Sequence, residues 1–200
     1  MKLPSLEWSV SAATMPGETE SGDKYWVRAG ANNVRFAVID GLGHGREAAA
    51  ASTVAISTLE KHADAPIIEQ IQLCHDSLRE TRGVAMSLAS LDTDRARLTW
   101  IGIGNVDALL LHKFGGRPHD KLLLRSGVVG AHLPTLRTAE LQVSPGDLMI
   151  MLTDGVMSDR LCSISFDGQL SATSNAIMAS AVKGSDDALV LVARYRGVVS

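Results

Sequence analysis

The sequence predicts an α+β domain, with layers of antiparallel strands and helices kept apart from them. Three observations point there. Two helical patterns stand side by side, over 46–62 and 66–80, instead of alternating with strands. Strand-like runs crowd the stretch from 84 to 153, and their connections are too short for a crossover helix, so neighbours pair antiparallel. One more helical pattern and one more strand follow at 172–183 and 188–195. Such segregation excludes a doubly wound parallel sheet.

Taken in order, LEWSVSAATM (6–15) reads as the first strand and PGETESGD (16–23) as a polar loop. KYWVRAG (24–30) and VRFAVID (34–40) flank Asn32-Asn33, a tight-turn signal, and read as a hairpin. REAAAASTVAISTLEKH (46–62) is Ala-rich with apolar residues at helical spacing. Asp64 is placed to cap the second helix, and Gly83 to end it. The strands that follow are VAMSLASLD (84–92), RLTWIGIG (97–104), VDALLLHK (106–113), KLLLRSG (121–127), TAELQVS (138–144) and DLMIMLT (147–153). GIGN (102–105) reads as a bend, its glycines letting backbones approach and Asn105 bonding across the turn. Trp8, Trp26 and Trp100 read as core or interface anchors.

Composition bounds the rest. At 200 residues, 46% hydrophobic and 20% charged, the chain reads as a single domain over 1–200 with a real core. A net charge of −3 shows no basic footprint for nucleic acid. No apolar run approaches the roughly 18 to 20 residues that span a bilayer, and MKLPSLEWSVSA lacks a signal-peptide core. The expectation is a cytoplasmic protein with no membrane partner. Cys74 and Cys162 lie outside any CxxC and read as reduced thiols.

The chemistry is carried by acidic residues at the mouths of strands. VRFAVIDG (34–41) and DLMIMLTDG (147–155) each end abruptly in Asp-Gly, at Asp40 and Asp154; Asp186-Asp187 opens ALVLVARY, and Asp23 sits in SGDKYW. Hard divalent ions take oxygen ligands, and Mg²⁺ keeps several waters. Asp-Gly is also an ordinary turn dipeptide. Asp167-Gly168, after a short polar run, reads as such a turn and serves as an internal control. At Asp40 the next residue has no side chain, so the Gly41 carbonyl is free as an oxygen ligand beside the carboxylate. Converging carboxylates would repel one another without cations, so convergence implies metal-assisted phosphate chemistry. His44, before the first helix, is open to a role near the site or to a structural hydrogen bond. His62, His75, His112, His119 and His132 show no metal-ligand spacing.

SGD (21–23), DGLGHG (40–45), RGVAMSLASLD (82–92), GIGN (102–105), TDG (153–155) and DDALVLV (186–192) stand in the order found in PPM/PP2C-type metal-dependent protein phosphatases. The chain resembles that family over about 8–195, and most closely its minimal bacterial branch of sporulation and stress-response phosphatases. DGLGHG is similar to the feedback phosphatase type of stressosome signalling. The resemblance implies a PP2C-like αββα sandwich of two antiparallel sheets flanked by helices, with two Mn²⁺ or Mg²⁺ ions at one end. It implies that Asp40 bridges both ions with the Gly41 carbonyl holding one, that Asp154 and Asp187 hold the other, and that Asp23 holds water as an outer ligand. Asp186 falls to a lesser place, as a cap or solvated turn. The implied reaction is hydrolysis of phosphoserine or phosphothreonine by activated water, with no Ser or Cys nucleophile. The implied partner is a phosphorylated STAS-domain stressosome protein. Two alternatives remain open on the residues: a silent pseudophosphatase that binds a signalling partner, and a two-metal phosphoesterase of small molecules. The short segment between Ser126 and Leu148 leaves little room for the larger flap of many relatives, so an open, shallow site is expected.

Overall fold

The computed structural model describes residues 5–30, 32–114, 119–158, 161 and 168–197. The elements are β1 (Leu6–Ala13), β2 (Asp23–Ala29), β3 (Asn33–Gly41), α1 (Gly45–Lys61), α2 (Ile67–Ser77), β4 (Val84–Asp92), β5 (Arg97–Ile103), β6 (Asp107–Leu111), β7 (His119–Lys121), β8 (Ala139–Gln142), β9 (Leu148–Leu152), α3 (Leu170–Ala181) and β10 (Ala188–Tyr195). They form two five-stranded sheets, β1-β10-β9-β6-β7 and β2-β3-β4-β5-β8. Every ladder is antiparallel.

The long apolar runs arise because the central strands are buried on both faces. Along β3, Val34, Phe36 and Val38 point between the sheets, while Ala37 and Ile39 point outward under α1 and α2. Along β10, Leu189, Leu191, Ala193 and Tyr195 fill the same inter-sheet core, and Ala188, Val190 and Val192 face α3. Period-two alternation therefore appears as two apolar faces instead of one apolar and one polar. Helix α1 buries Ala48, Ala51, Ser52, Ala55 and Leu59, one face at helical spacing. Its small side chains let the helix lie close on the sheet: a methyl group built on Gly41 would stand 2.2 Å from the Ala48 carbonyl oxygen. The result is a helix–sheet–sheet–helix sandwich, the architecture the family resemblance implies. No helix among the described residues is long and apolar enough to cross a membrane.

Several expectations need correction. Helix α2 is capped by Pro66, with no side-chain cap bond, so Asp64 does not cap it. It ends at Ser77, and Gly83 serves β4 instead, adopting φ +77° where a methyl group would meet the Val129 carbonyl oxygen at 2.8 Å. KLLLRSG is not one strand. Its start belongs to β7, Leu122 N–H donates to Ala108 of β6 at 2.8 Å, and Arg125 N–H donates to Gly102 of β5 at 3.1 Å. The segment crosses from one sheet to the other, so no single ladder can hold it. Asp167 and Cys162 lie outside the described residues, while Cys74 is a buried free thiol.

Candidate active site

The cleft lies where strand ends of both sheets meet. Asp23 opens β2 and Asp40 sits at the end of β3, and the two are register partners across the ladder. Asp154 follows β9 and Asp186 precedes β10 in the other sheet. Asp40, Leu42, Gly43, His44, Asn105, Asp154, Ser185 and Asp186 line one open pocket. Chain reversal after each strand, combined with antiparallel pairing, brings these distant positions to the same end of the sandwich.

Thr153 ties the two halves together. Its hydroxyl donates to Asp23 Oδ2 at 2.6 Å and accepts the Leu189 N–H at 2.8 Å, so one buried side chain spans both sheets behind the cleft. Asn105 also lines the pocket. Its Nδ2 donates to Asp154 Oδ2 at 2.6 Å, fixing that carboxylate in the pocket. From the sequence, Asn105 reads as a turn residue bonding across its own turn; in the structure its partner is Asp154. The available signal was a polar amide, flanked by Gly104 and Val106, at the end of an apolar run.

Asp186 Oδ1 accepts the Asp187 N–H at 2.8 Å, the local cap expected of it, while Asp187, expected as a metal ligand, does not line the cleft. Asp186 lines the pocket. Asp187 is 3% exposed, and its two oxygens accept the Met15 N–H at 2.8 Å and the Gly22 N–H at 2.7 Å. The chain bends at Asp186 before β10 begins at Ala188, and at that bend the two side chains part. Asp187 instead anchors the 15–22 loop that leads into Asp23. The backbone beneath it is tight: a methyl group on Gly155 would stand 1.9 Å from the Asp187 carbonyl oxygen.

His44 lines the pocket at the N-cap of α1 and shares a 2.6 Å hydrogen bond between Nδ1 and Glu18 Oε1. Gly41 is buried directly behind Asp40, its N–H donating to the Gly22 carbonyl at 3.2 Å.

The electrostatics are those of crowded carboxylates. Burial pushes Asp40 up to about 7, with the charges of Asp154 and Asp186 adding to it, a hydrogen bond from Asn105 opposing and Asp187 adding a little more. Burial pushes Asp23 up to about 8 against the Thr153 hydrogen bond, with Asp40, Asp187 and Asp186 reinforcing the rise. Among the described residues, no three His, Cys, Asp or Glu side chains are close enough to cage an ion alone. An oxygen-only donor set that depends on water to complete its shell fits Mg²⁺ or Mn²⁺ and not a softer metal. Cys74 takes no part: burial pushes its thiol up to about 12, and it packs on the α1 backbone at Ala55.

Two facing antiparallel sheets, helices on their outer faces and an acidic cleft at one end define a PPM-type protein serine/threonine phosphatase. The Stage II sporulation protein E (SpoIIE) family matches residues 30–196, and the chain belongs to that family. The phosphoserine phosphatase RsbX of Bacillus subtilis (strain 168) is 26% identical over 140 residues, which is 70% of this chain and 69% of that protein. A solved structure of RsbX in complex with magnesium superposes with a TM-score of 0.88 at 22% identity, over 98% of each chain. Another, described as "The bacterial stressosome: a modular system that has been adapted to control secondary messenger signaling", superposes with a TM-score of 0.87 at 28% identity, over 94% of this chain and 99% of the other.

Proposed function

We propose that this phosphatase is metal-dependent and removes phosphate from phosphoserine or phosphothreonine of a STAS-domain stressosome protein, using two Mg²⁺ or Mn²⁺ ions. The observation that carries the reading is the convergence of Asp40, Asp154 and Asp186 on one open pocket, with Asn105 bonded to Asp154. The magnesium in the RsbX structure and the phosphoserine activity in that relative's name support the metal and the substrate class. The stressosome description of the other structure supports the partner.

In this reading Asp40, Asp154 and Asp186 would hold the ions, with the Gly41 carbonyl as a further oxygen beside Asp40. Asp187 is a positioning residue. Asp23 holds water at the back of the cleft, where Thr153 fixes its carboxyl. Bound there, such ions would supply a water of lowered pKa and offset charge on the phosphoryl group. Asn105 keeps Asp154 in place before any ligand arrives. The open mouth admits a phosphorylated side chain presented on a folded surface.

The test is phosphate release from a phosphorylated STAS-domain protein, with Mn²⁺ or Mg²⁺ and with chelator, for wild type and Asp40→Asn. Release that requires metal and disappears in the variant is expected. Metal-independent release, or near wild-type turnover by Asp40→Asn, would overturn the reading.

A further inference from the structure

The cleft is lined by three carboxylates, yet its substrate carries a phosphate dianion. Whatever the ions contribute, the chain gains by placing a cation of its own at the rim. We propose that Arg82 is that group: it binds an oxygen of the substrate's phosphoryl group, and Glu47 positions it. The proposal rests on the phosphatase reading above and gives a role to the first residue of RGVAMSLASLD, to which the sequence alone assigns none.

Arg82 stands two residues before β4, where the backbone runs beside the DGLGHG loop. Val84 pairs with Gly41, and Leu42 N–H donates to the Gly83 carbonyl at 3.1 Å. That register carries the Arg82 side chain over Gly43, which lines the pocket. A methyl group built on Gly43 would stand 2.7 Å from Arg82 Nη1 and 3.9 Å from Cζ. Gly43 also takes φ +85°, so the loop needs glycine there twice: for its own turn and for room under the guanidinium.

The other terminal nitrogen, Nη2, pairs with Glu47 in the first turn of α1. With the side chains 50% and 69% exposed, this pair contributes little stability. What it does is orient: Nη2 is held on the helix side, and Nη1 is left against the pocket-lining loop. A guanidinium has five donors in a rigid fork and keeps its charge, so it can hold Glu47 and a phosphate oxygen together. Arg–phosphate hydrogen bonds are charge-assisted and about twice as strong as neutral ones. No proton moves in this role.

The experiment compares wild type, Arg82→Ala and Arg82→Lys, loaded with Mg²⁺ or Mn²⁺, on p-nitrophenyl phosphate and on a phosphorylated STAS-domain protein. Inhibition by inorganic phosphate is measured alongside, with thermal melts as the folding control. Arg82→Ala is expected to raise KM about tenfold on both substrates and to weaken phosphate inhibition by the same factor, the loss of one charge-assisted hydrogen bond. Melting should not change, and Arg82→Lys should recover part of the loss, keeping charge without the fork. A KM rise on the phosphoprotein alone would assign Arg82 to the partner's surface and overturn the proposal, as would unchanged kinetics. If wild type turns over neither substrate, the phosphatase reading fails by itself. Calorimetric binding of inorganic phosphate then decides Arg82: weaker binding in Arg82→Ala upholds the contact, and equal binding overturns it.

Discussion

Replacing Asp187 by Asn keeps the shape of a buried side chain but turns one of its acceptors into a donor. Met15 N–H and Gly22 N–H each need an acceptor there, so one buried amide is left facing an NH₂ group. The expected cost is about 1 to 3 kcal/mol of stability. Asp186→Asn touches a half-exposed side chain at the pocket, so its melting temperature should stay near wild type while metal-dependent turnover is lost. Melting curves and Mg²⁺ titration calorimetry on both variants separate the two. The opposite pattern, a stable inactive Asp187→Asn and a silent Asp186→Asn, would restore the ligand set expected from sequence. The different placement of this pair has a physical origin. Adjacent identical carboxylates look alike as letters, and the bend at Asp186 that sends them to different surroundings leaves no mark in the sequence. Asp40 and Asp154 were legible because each ends a run buried on both faces, leaving the carboxylate as the first polar group at the mouth.

Elements were legible in proportion to their burial. All eight residues of β10 are buried, and its span, 188–195, agrees with the apolar run read from sequence. The edge elements were not: β7 has three residues and β8 four, both largely exposed, and their sequences carry no periodicity long enough to set an end. A side-chain clamp adds to the short β6 ladder in holding β7. His112, just past β6, shares Nε2 with Asp120 of β7 at 2.7 Å and Nδ1 with the buried Asp147 before β9 at 3.1 Å. Burial pulls the imidazole down, but the hydrogen bonds and charges of Asp120 and Asp147 outweigh it and leave it raised above its ordinary 6.5. The folded state therefore keeps a proton that the unfolded chain releases first. The clamp's stability is fully present below 6.5 and is lost as pH rises through the raised folded value. His112→Gln should flatten that decline, read as the difference in melting temperature from wild type across the range with Mg²⁺ held constant. Parallel pH profiles in the two proteins would mean that the clamp contributes nothing.

At the scale of the whole molecule, the cleft exists only because two sheets meet, with Thr153 bonding Asp23 on one side and Leu189 on the other. The cost of that meeting is borne by the carboxylates. Asp40 and Asp23 titrate at about 7 and about 8, against 3.8 for an ordinary aspartate, so without a cation the fold holds protons that the unfolded chain has already released. Folded protein that binds more protons than unfolded loses stability as pH rises. In chelator, the stability that depends on these groups should therefore be fully present below 3.8 and should decline as pH rises to about 8. A divalent ion in the cleft removes the reason for the protons, and ligand that binds only the folded state raises its melting temperature. The gap between melting temperatures in Mg²⁺ and in chelator should consequently widen as pH rises from acid to about 8, because metal and protons compete for the same oxygens. Asp40→Asn removes both a proposed ligand and part of the repulsion, so its gap should be small and nearly flat with pH. A gap in wild type that does not grow with pH, or one that Asp40→Asn retains in full, would place the bound ion outside this cleft and separate the acidic cluster from the metal it is proposed to hold.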